Sequence, residues 1–349
     1  MSAETPWSRR LRDLETVRPL VTETPLVLVE DGVPGGNRLW LKLESSQPVR
    51  SFKIRGATYA MSSRLEDLRS RGVVADSGGN HSQALAYAGA RLGVPVKIVM
   101  AAVVPEGKKR ATLGFGATDG SFELDTSPPD FVAAKVAAKE AARAEGRHYL
   151  SPYDDEDIIR GAATLLTEAV GQLSARGVSP ASVHAPIGGG GLISGLADAN
   201  ADLGSPMEVR GHEIEGADSA ARSITSDRPV EVPGELNRYA EGLAVRVMGD
   251  RPHRRLRDGL VAGVDVTTLR GVGGAYAWWI EHARPALGES DRPPDLAGLP
   301  EVSSMVAVAG VLRHLEERGI VDGDHLVVVS GGNTDPTSAR ATVAAYEGR

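Results

Sequence analysis

The 349-residue sequence predicts an α/β protein of two domains, and three observations carry that prediction. Short apolar strands alternate with helices, as where Val73-Val74-Ala75 leads to the Ala-rich run 84–92 and then to Val96-Lys97-Ile98-Val99-Met100. Such alternation implies parallel sheets with helices on both faces. Several of these strands run into turns of Gly, Ser and Asn, at the end of an open α/β sheet where ligands bind. The length exceeds one ordinary core and fits two.

Taken in order, residues 1–20 read as a polar helical arm with Leu11, Leu14 and Val17 or Leu20 along one side. Residues 24–29 and 38–44 read as strands by their alternation. A helix opens in Ser51-Phe52-Lys53-Ile54-Arg55-Gly56-Ala57 and runs to about Arg71. The β-α-β-α section continues with helices near 106–113 and 130–145. After Tyr149-Leu150-Ser151-Pro152-Tyr153 the pattern restarts, with helix 155–176, strand 182–186, the glycine run from Gly188, helix 192–203 and strand 208–213. Residues 218–300 carry Pro- and Gly-rich loops around a helix near 275–283. Helix 303–318, strand 325–329, the turn Ser330-Gly331-Gly332-Asn333 and a closing helix complete the chain. The expected division is a large domain of residues 1–71 and 150–349, with residues 72–149 as a small one.

Composition narrows the function classes. A net charge of −7 argues against a nucleic-acid or anionic-membrane partner. The basic cluster Arg251-Pro252-His253-Arg254-Arg255-Leu256-Arg257 is flanked by Asp250 and Asp258 and reads as a solvated helix face. Without cysteine there is no disulfide, thiolate metal site or Cys nucleophile. No apolar run approaches the roughly 18 residues that span a bilayer, and the first 20 residues resemble neither a secretory signal nor a transit peptide. A cytoplasmic protein is the expectation.

Three turns carry the chemistry. In Gly188-Gly189-Gly190-Gly191-Leu192-Ile193-Ser194-Gly195, glycines between strand and helix let amides converge at a helix N-terminus, an anion cradle suited to phosphate. A flexible connection reads equally well. The run lacks the Lys-Ser/Thr of a nucleotide P-loop and the context of a dinucleotide fingerprint. Asp76-Ser77-Gly78-Gly79-Asn80-His81-Ser82-Gln83 repeats the strand–turn–helix logic, with plain capping by Ser77 as its alternative. His81 is there either a buried structural histidine or an acid–base group. Ser330 would project one neutral hydroxyl after a buried strand.

Together, Ser-Phe-Lys-x-Arg-Gly-Ala, Ser-x-Gly-Asn-His-x-Gln, Gly-Gly-Gly-Gly-Leu-x-Ser-Gly and Ser-Gly-Gly-Asn, in this order between about Thr24 and Asp335, resemble the fold-type II pyridoxal 5′-phosphate (PLP) enzymes. The chain looks most like their serine/threonine dehydratase and serine racemase group. The resemblance implies two three-layer α/β/α domains, tryptophan synthase β-like, with the cofactor in the cleft between them. It implies that Lys53 holds PLP as a Schiff base and removes the substrate α-proton. Phe52 would lie near the cofactor, Asn80 would bond its phenolic oxygen, Gly188, Gly189, Gly190 and Gly191 would bind its phosphate, and Ser330 would face its pyridine nitrogen. Ser77, with the backbone of Gly79, Asn80 and His81, would hold the substrate carboxylate. A homodimer is also implied.

Departures from the pattern refine the activity. Gly78 stands where racemases carry a second serine base, which disfavours racemisation. Val49-Arg50 replaces the usual Thr-Gly, and Arg50 either sits in solvent or binds a second anionic group of the substrate. Glu213, Ala217 and Ser219 fall on the positions of a divalent-cation site (Mg2+ or another), with Ser219 where a carboxylate is usual. Glu301-Val302-Ser303-Ser304-Met305 replaces Glu-Pro-Ser-Gly-Ala, and Trp278 and Trp279 either shape specificity or pack in the core. With no segment after Arg349, the allosteric control of biosynthetic threonine dehydratases is not expected. The expected function is β-elimination of a small β-hydroxy amino acid (serine, threonine or 3-hydroxyaspartate) to a 2-oxo acid and ammonia. A β-replacement synthase is the alternative; a racemase or a non-catalytic binding protein ranks below both.

Overall fold

The computed structural model describes residues 5–204, 207–289 and 298–348. In chain order, α1 (Pro6–Val17), β1 (Leu26–Val29) and β2 (Arg38–Leu43) precede α2 (Lys53–Ser62) and α3 (Leu65–Arg71). Next come β3 (Val73–Asp76), α4 (Asn80–Leu92), β4 (Val96–Val99), α5 (Glu106–Phe115), β5 (Phe122–Asp125), α6 (Phe131–Glu145) and β6 (His148–Tyr149). The chain continues with α7 (Glu156–Ser174), β7 (Ser182–Pro186), α8 (Gly191–Leu203), β8 (Glu208–Ile214), α9 (Ser219–Ser223), α10 (Asp250–Arg257) and β9 (Gly263–Thr267). Last are α11 (Leu269–Trp278), α12 (Arg284–Ala286), α13 (Val302–Arg318), β10 (Asp324–Val329) and α14 (Pro336–Glu347).

Two sheets result. One is all parallel, in the order β5-β4-β3-β6. The other runs β1-β2-β10-β7-β8-β9, with only β1 and β2 antiparallel. Strands covered on both faces have no solvent side, so they read as continuous apolar runs; Val73, Val74 and Ala75 are fully buried, as are Leu326 to Val329. Register then positions the site. Asp324 to Val329 pair in step with Arg38 to Leu43, so the chain leaving β10 emerges beside the chain leaving β2. Ser51 consequently bridges Gly331, and the Phe52 amide donates to the Ser330 carbonyl at 3.0 Å.

α2 is anchored at its base. Arg55 is wholly buried and forks onto Glu44 (Nε and Nη2, both 2.8 Å) while Nη2 also reaches Glu168 at 2.9 Å. Lys42 donates to the same Glu168 at 2.5 Å and to the Thr24 carbonyl at 2.8 Å. Two buried cations thus face two buried carboxylates. Across the other side α2 meets α7 backbone to backbone: a Cβ on Gly161 would lie 2.5 Å from the Arg55 carbonyl and 2.6 Å from the Gly56 Cα. α1 packs on the same pair, through Asp13 to Arg160 (2.8 Å) and Tyr59 (3.2 Å).

The structure differs from the sequence expectation in places. The helix expected to run from Lys53 to Arg71 breaks after Ser62, and α3 restarts at Leu65. β5 and β9 are strands where none was expected; both are sheet edges, half-exposed and short, so their apolar signal is weak. The helix around 275–283 begins earlier and passes through a π turn at Trp279–Ala283 before Pro285, which has no amide to continue the ladder. Trp278 and Trp279 are both buried in the core there, with Trp278 Nε1 donating to the Gly32 carbonyl at 2.8 Å. Residues 290–297, part of the segment hard to place by sequence, lie outside the described residues.

Candidate active site

Lys53 is the first residue of α2, and its amine donates to the Pro152 carbonyl at 2.7 Å. The ammonium lies 5.2 Å from the Phe52 ring centre. Burial pushes the amine down to about 8, against a smaller opposing pull from Glu301. Near neutral pH such a lysine keeps a usable neutral fraction, which condensation with an aldehyde requires. A small enclosed cavity beside it is lined by Phe52, Lys53, Pro152, Ile158, Gly191 and Leu192. The last residue of the glycine run, Gly191, and the lysine therefore border the same small space. A more open depression lies elsewhere, around Arg71, Arg147 and His148, and contains none of these groups.

The glycine run is closely packed. A Cβ on Gly189 would fall 2.1 Å from the Tyr153 ring, and one on Gly191 would fall 3.0 Å from the Tyr153 Cα. Gly190 has φ +93 and serves as the N-cap of α8, with no side chain bonding the first amides. The start of α4 is similar. Gly79 is its N-cap and no side chain caps it; Ser77 instead accepts from the Gly79 amide at 3.3 Å, so the capping alternative does not hold. A Cβ on Gly78 would lie 2.7 Å from Val104, which leaves no room for a serine there without a shift.

Asn80 sits at the first position of α4, and its side chain joins distant parts of the chain. Nδ2 lies 3.1 Å from both carboxylate oxygens of Glu301, and Oδ1 accepts from Asn333 at 2.7 Å. Asn333 also donates to the Val49 carbonyl at 3.0 Å. Ser330, nearly buried at the end of β10, lies 3.1 Å from the Ser304 hydroxyl, which in turn holds the Gly331 amide at 2.9 Å. His81 is 2 % exposed, and neither ring nitrogen has a hydrogen-bond partner among the described residues. Burial and then the Lys53 charge push it down to about 3, partly offset by the Leu150 backbone.

Two residues escaped sequence reasoning as site members. Glu301 is half-buried at the N-cap of α13, and desolvation raises its carboxyl, opposed by Asn80, Lys108, Lys53 and Arg50. Lys108 pairs with Glu241, and burial lowers its amine. Glu301 opens the stretch Glu301-Val302-Ser303-Ser304-Met305 noted in the sequence, whereas nothing in the local residue pattern around Lys108 marks it as a site residue.

The cation positions fare differently. Both oxygens of Glu213 accept amides opening α9, from Ala220 at 2.9 Å and Ala221 at 2.8 Å. Burial lifts its carboxyl to about 8 despite those amides. Ser219 donates to the Val230 carbonyl at 2.8 Å and accepts from the Met248 amide at 2.9 Å, and the Ala217 amide donates to the Ile214 carbonyl at 2.8 Å. As placed, these groups are a poor donor set for a hard cation. Among the described residues no group of three or more His, Cys, Asp or Glu is arranged to hold a metal.

A half-buried amine of lowered pKa at a helix start, a glycine cradle at an uncapped helix start and a serine hydroxyl after a buried strand match the needs of a phosphorylated aldehyde cofactor. The family model for pyridoxal-phosphate dependent enzymes matches residues 17–275. The chain belongs to that family. It is 32% identical over 249 residues to a biosynthetic L-threonine dehydratase of Lactococcus lactis, covering 70% of this chain and 58% of the relative. It superposes with TM-score 0.81 on a T.th. threonine deaminase (30% identity, 93% of this chain and 97% of that one). The processed threonine deaminase isoform 2 of Solanum lycopersicum also gives 0.81, at 28% identity over 96% and 92%. The chain spans about half the length of the first curated relatives it matches. The fold-type II architecture expected from the sequence is the one found, and PLP is the family's cofactor.

Proposed function

We propose that this chain is a PLP-dependent ammonia-lyase that removes the β-hydroxyl of a small amino acid and releases a 2-oxo acid and ammonia. The observation that carries the reading is the half-buried Lys53 amine, lowered to about 8, with no second side-chain base at Gly78. Threonine dehydratase relatives support it. PLP bound at this site would act as an electron sink that acidifies the bond from Cα to hydrogen.

The chain's own residues do the rest. Lys53 would carry the cofactor and, once free, take the α-proton at Nζ. Ser77 and the amides after it, at Gly79, Asn80 and His81, would hold the substrate carboxylate and fix which Cα bond faces Lys53. Gly188 to Gly191 would hold the phosphate, Ser330 would face the ring nitrogen, and Asn80 would touch the ring oxygen. A neutral hydroxyl at that nitrogen leaves the ring less electron-withdrawing than a carboxylate would, which favours prompt departure of the β-group. The site falls between residues 72–149 and the remainder, taken as two domains. The resemblance carries two further expectations, a homodimer and a cytoplasmic setting; light scattering that returns a single-chain mass would remove the first.

The test is direct. Purified protein should show the visible absorption band of lysine-bound PLP and release ammonia and a 2-oxo acid from serine, threonine or 3-hydroxyaspartate; Lys53→Ala should lose both. A protein that shows the band but turns over only with an added nucleophile is a β-replacement synthase, and the lyase reading fails.

A further inference from the structure

Arg50 occupies a backbone conformation suited to glycine. Its φ is +54, and Asp322 is the one other non-glycine residue with positive φ among the described residues. Glycine adopts that geometry freely, whereas a side chain at Cα is disfavoured there. The backbone is held in place on all sides. The Arg50 amide donates to the Gln47 carbonyl at 2.7 Å, its carbonyl accepts from Gly332 at 2.8 Å, and its neighbours Val49 and Ser51 are fully buried.

The side chain lies over the turn that follows β10. A Cβ on Gly332 would stand 3.3 Å from Arg50 Nη2 and 3.6 Å from Nε, so the guanidinium rests close against that glycine. From that place its charge acts on Glu301, the carboxyl that holds Asn80. The Arg50 side chain is exposed, and among the described residues it has neither an ion-pair nor a hydrogen-bond partner. The other cations here are engaged: Lys108 with Glu241, and Lys53 with the Pro152 carbonyl. A free, planar, permanently charged fork at the edge of an amino-acid site is matched by a second carboxylate on the substrate.

We propose that Arg50 is a specificity-determining residue that pairs with a carboxylate on the β-carbon, making the preferred substrate class β-hydroxy dicarboxylic amino acids. This rests on the lyase reading above. For 3-hydroxyaspartate the bond from Cα to hydrogen breaks, the hydroxyl leaves from Cβ as water, and one water then hydrolyses the resulting imine. The net change is substrate to a four-carbon 2-oxo diacid plus ammonia, with no oxidant or reductant.

The experiment compares the holoenzyme with Arg50→Gly and Arg50→Lys. Arg50→Gly relieves the left-handed backbone, so its Tm should match or exceed the parent's, and Arg50→Lys covers the case in which it does not. The ratio of kcat/KM for 3-hydroxyaspartate to that for serine should fall at least about tenfold in Arg50→Gly and recover partly in Arg50→Lys. Succinate, an unreactive dicarboxylate, should bind the parent more tightly than Arg50→Gly by a similar factor, read by calorimetry. An unchanged ratio with unchanged succinate affinity overturns the proposal while leaving the lyase reading intact. A ratio that moves for O-phosphoserine and not for 3-hydroxyaspartate overturns the carboxylate assignment. If no β-hydroxy amino acid is turned over, the lyase reading fails, and succinate binding by itself decides whether Arg50 recognises a carboxylate.

Discussion

Replacing Arg55 with Met tests how Lys53 is held. Arg55 lies two residues beyond Lys53 and makes a two-pronged contact with Glu44 and contacts at 2.9 and 3.2 Å with Glu168. Met fills similar volume but leaves Glu44 wholly buried, with Thr24 and Gln47 as its remaining side-chain partners. Removing one partner of a buried ion pair costs about 3–5 kcal/mol, and serving two carboxylates places Arg55 toward the upper end. Against a total stability of about 5–15 kcal/mol, the variant should fold but with a much lower urea midpoint. Burial pushes Glu168 up, and Arg55 and Lys42 more than offset it, so in the parent it sits below its usual value. Without Arg55, the largest offset to burial at Glu168 is gone, so that carboxyl should sit above its unfolded value. A raised folded-state pKa stabilises at low pH and is lost as pH rises, so the deficit should be larger at pH 8 than at pH 5.5. Urea titrations of the PLP-loaded parent, Arg55→Met and Arg55→Lys at both pH values measure this. A loss below about 1 kcal/mol, or one as large at pH 5.5 as at pH 8, would refute the account of a network whose charges depend on one another.

Three further outcomes follow from the packing and charges. Gly161→Ala drives a methyl to 2.5 Å from the Arg55 carbonyl, so α2 and α7 must separate; a loss of about 1–3 kcal/mol is expected in the same urea assay. Gly189→Ala places its methyl 2.1 Å from the Tyr153 ring, and PLP affinity by absorbance titration should fall at least about tenfold, while secondary structure by circular dichroism persists. His81 has its folded pKa lowered to about 3, below its unfolded value, so its contribution is full above about 6.5 and drains as pH falls toward 3. Between pH 7.5 and 5 that amounts to about 2 kcal/mol. The drop in stability over that interval should be correspondingly smaller in His81→Asn than in the parent, and an equal drop would place the titration elsewhere.

Local order was legible wherever a segment's neighbours in sequence set its environment. The run Val73-Val74-Ala75 needs no partner to be read as a buried strand, because β-branched and small apolar residues without polar interruption fit only a doubly covered sheet. Gly188 to Gly191 after an apolar strand likewise signals a backbone approach that a Cβ would block, and the contacts of Gly189 and Gly191 with Tyr153 bear that out. Even the family was visible, since four short motifs in fixed order carry far more information than any one of them. Edge strands such as β5 escaped because half-exposure blurs the apolar alternation, and the π turn before Pro285 escaped because it depends on the ladder of one helix rather than on composition.

The sequence by itself determined that Lys53, Asn80, the glycine run and Ser330 each sit at a turn after a strand or at a helix start. Tertiary structure decided which side chains touch. Only the parallel register of β10 on β2 brings Ser330 and Gly331 against Ser51 and Phe52, across nearly 280 residues of chain. Only the meeting of α4 with α13 turns Asn80 onto Glu301, and only the turn at Gly332 gives Arg50 a place to rest its guanidinium. Such contacts depend on distances between segments far apart in sequence, and a local pattern of residue types carries no information about those distances.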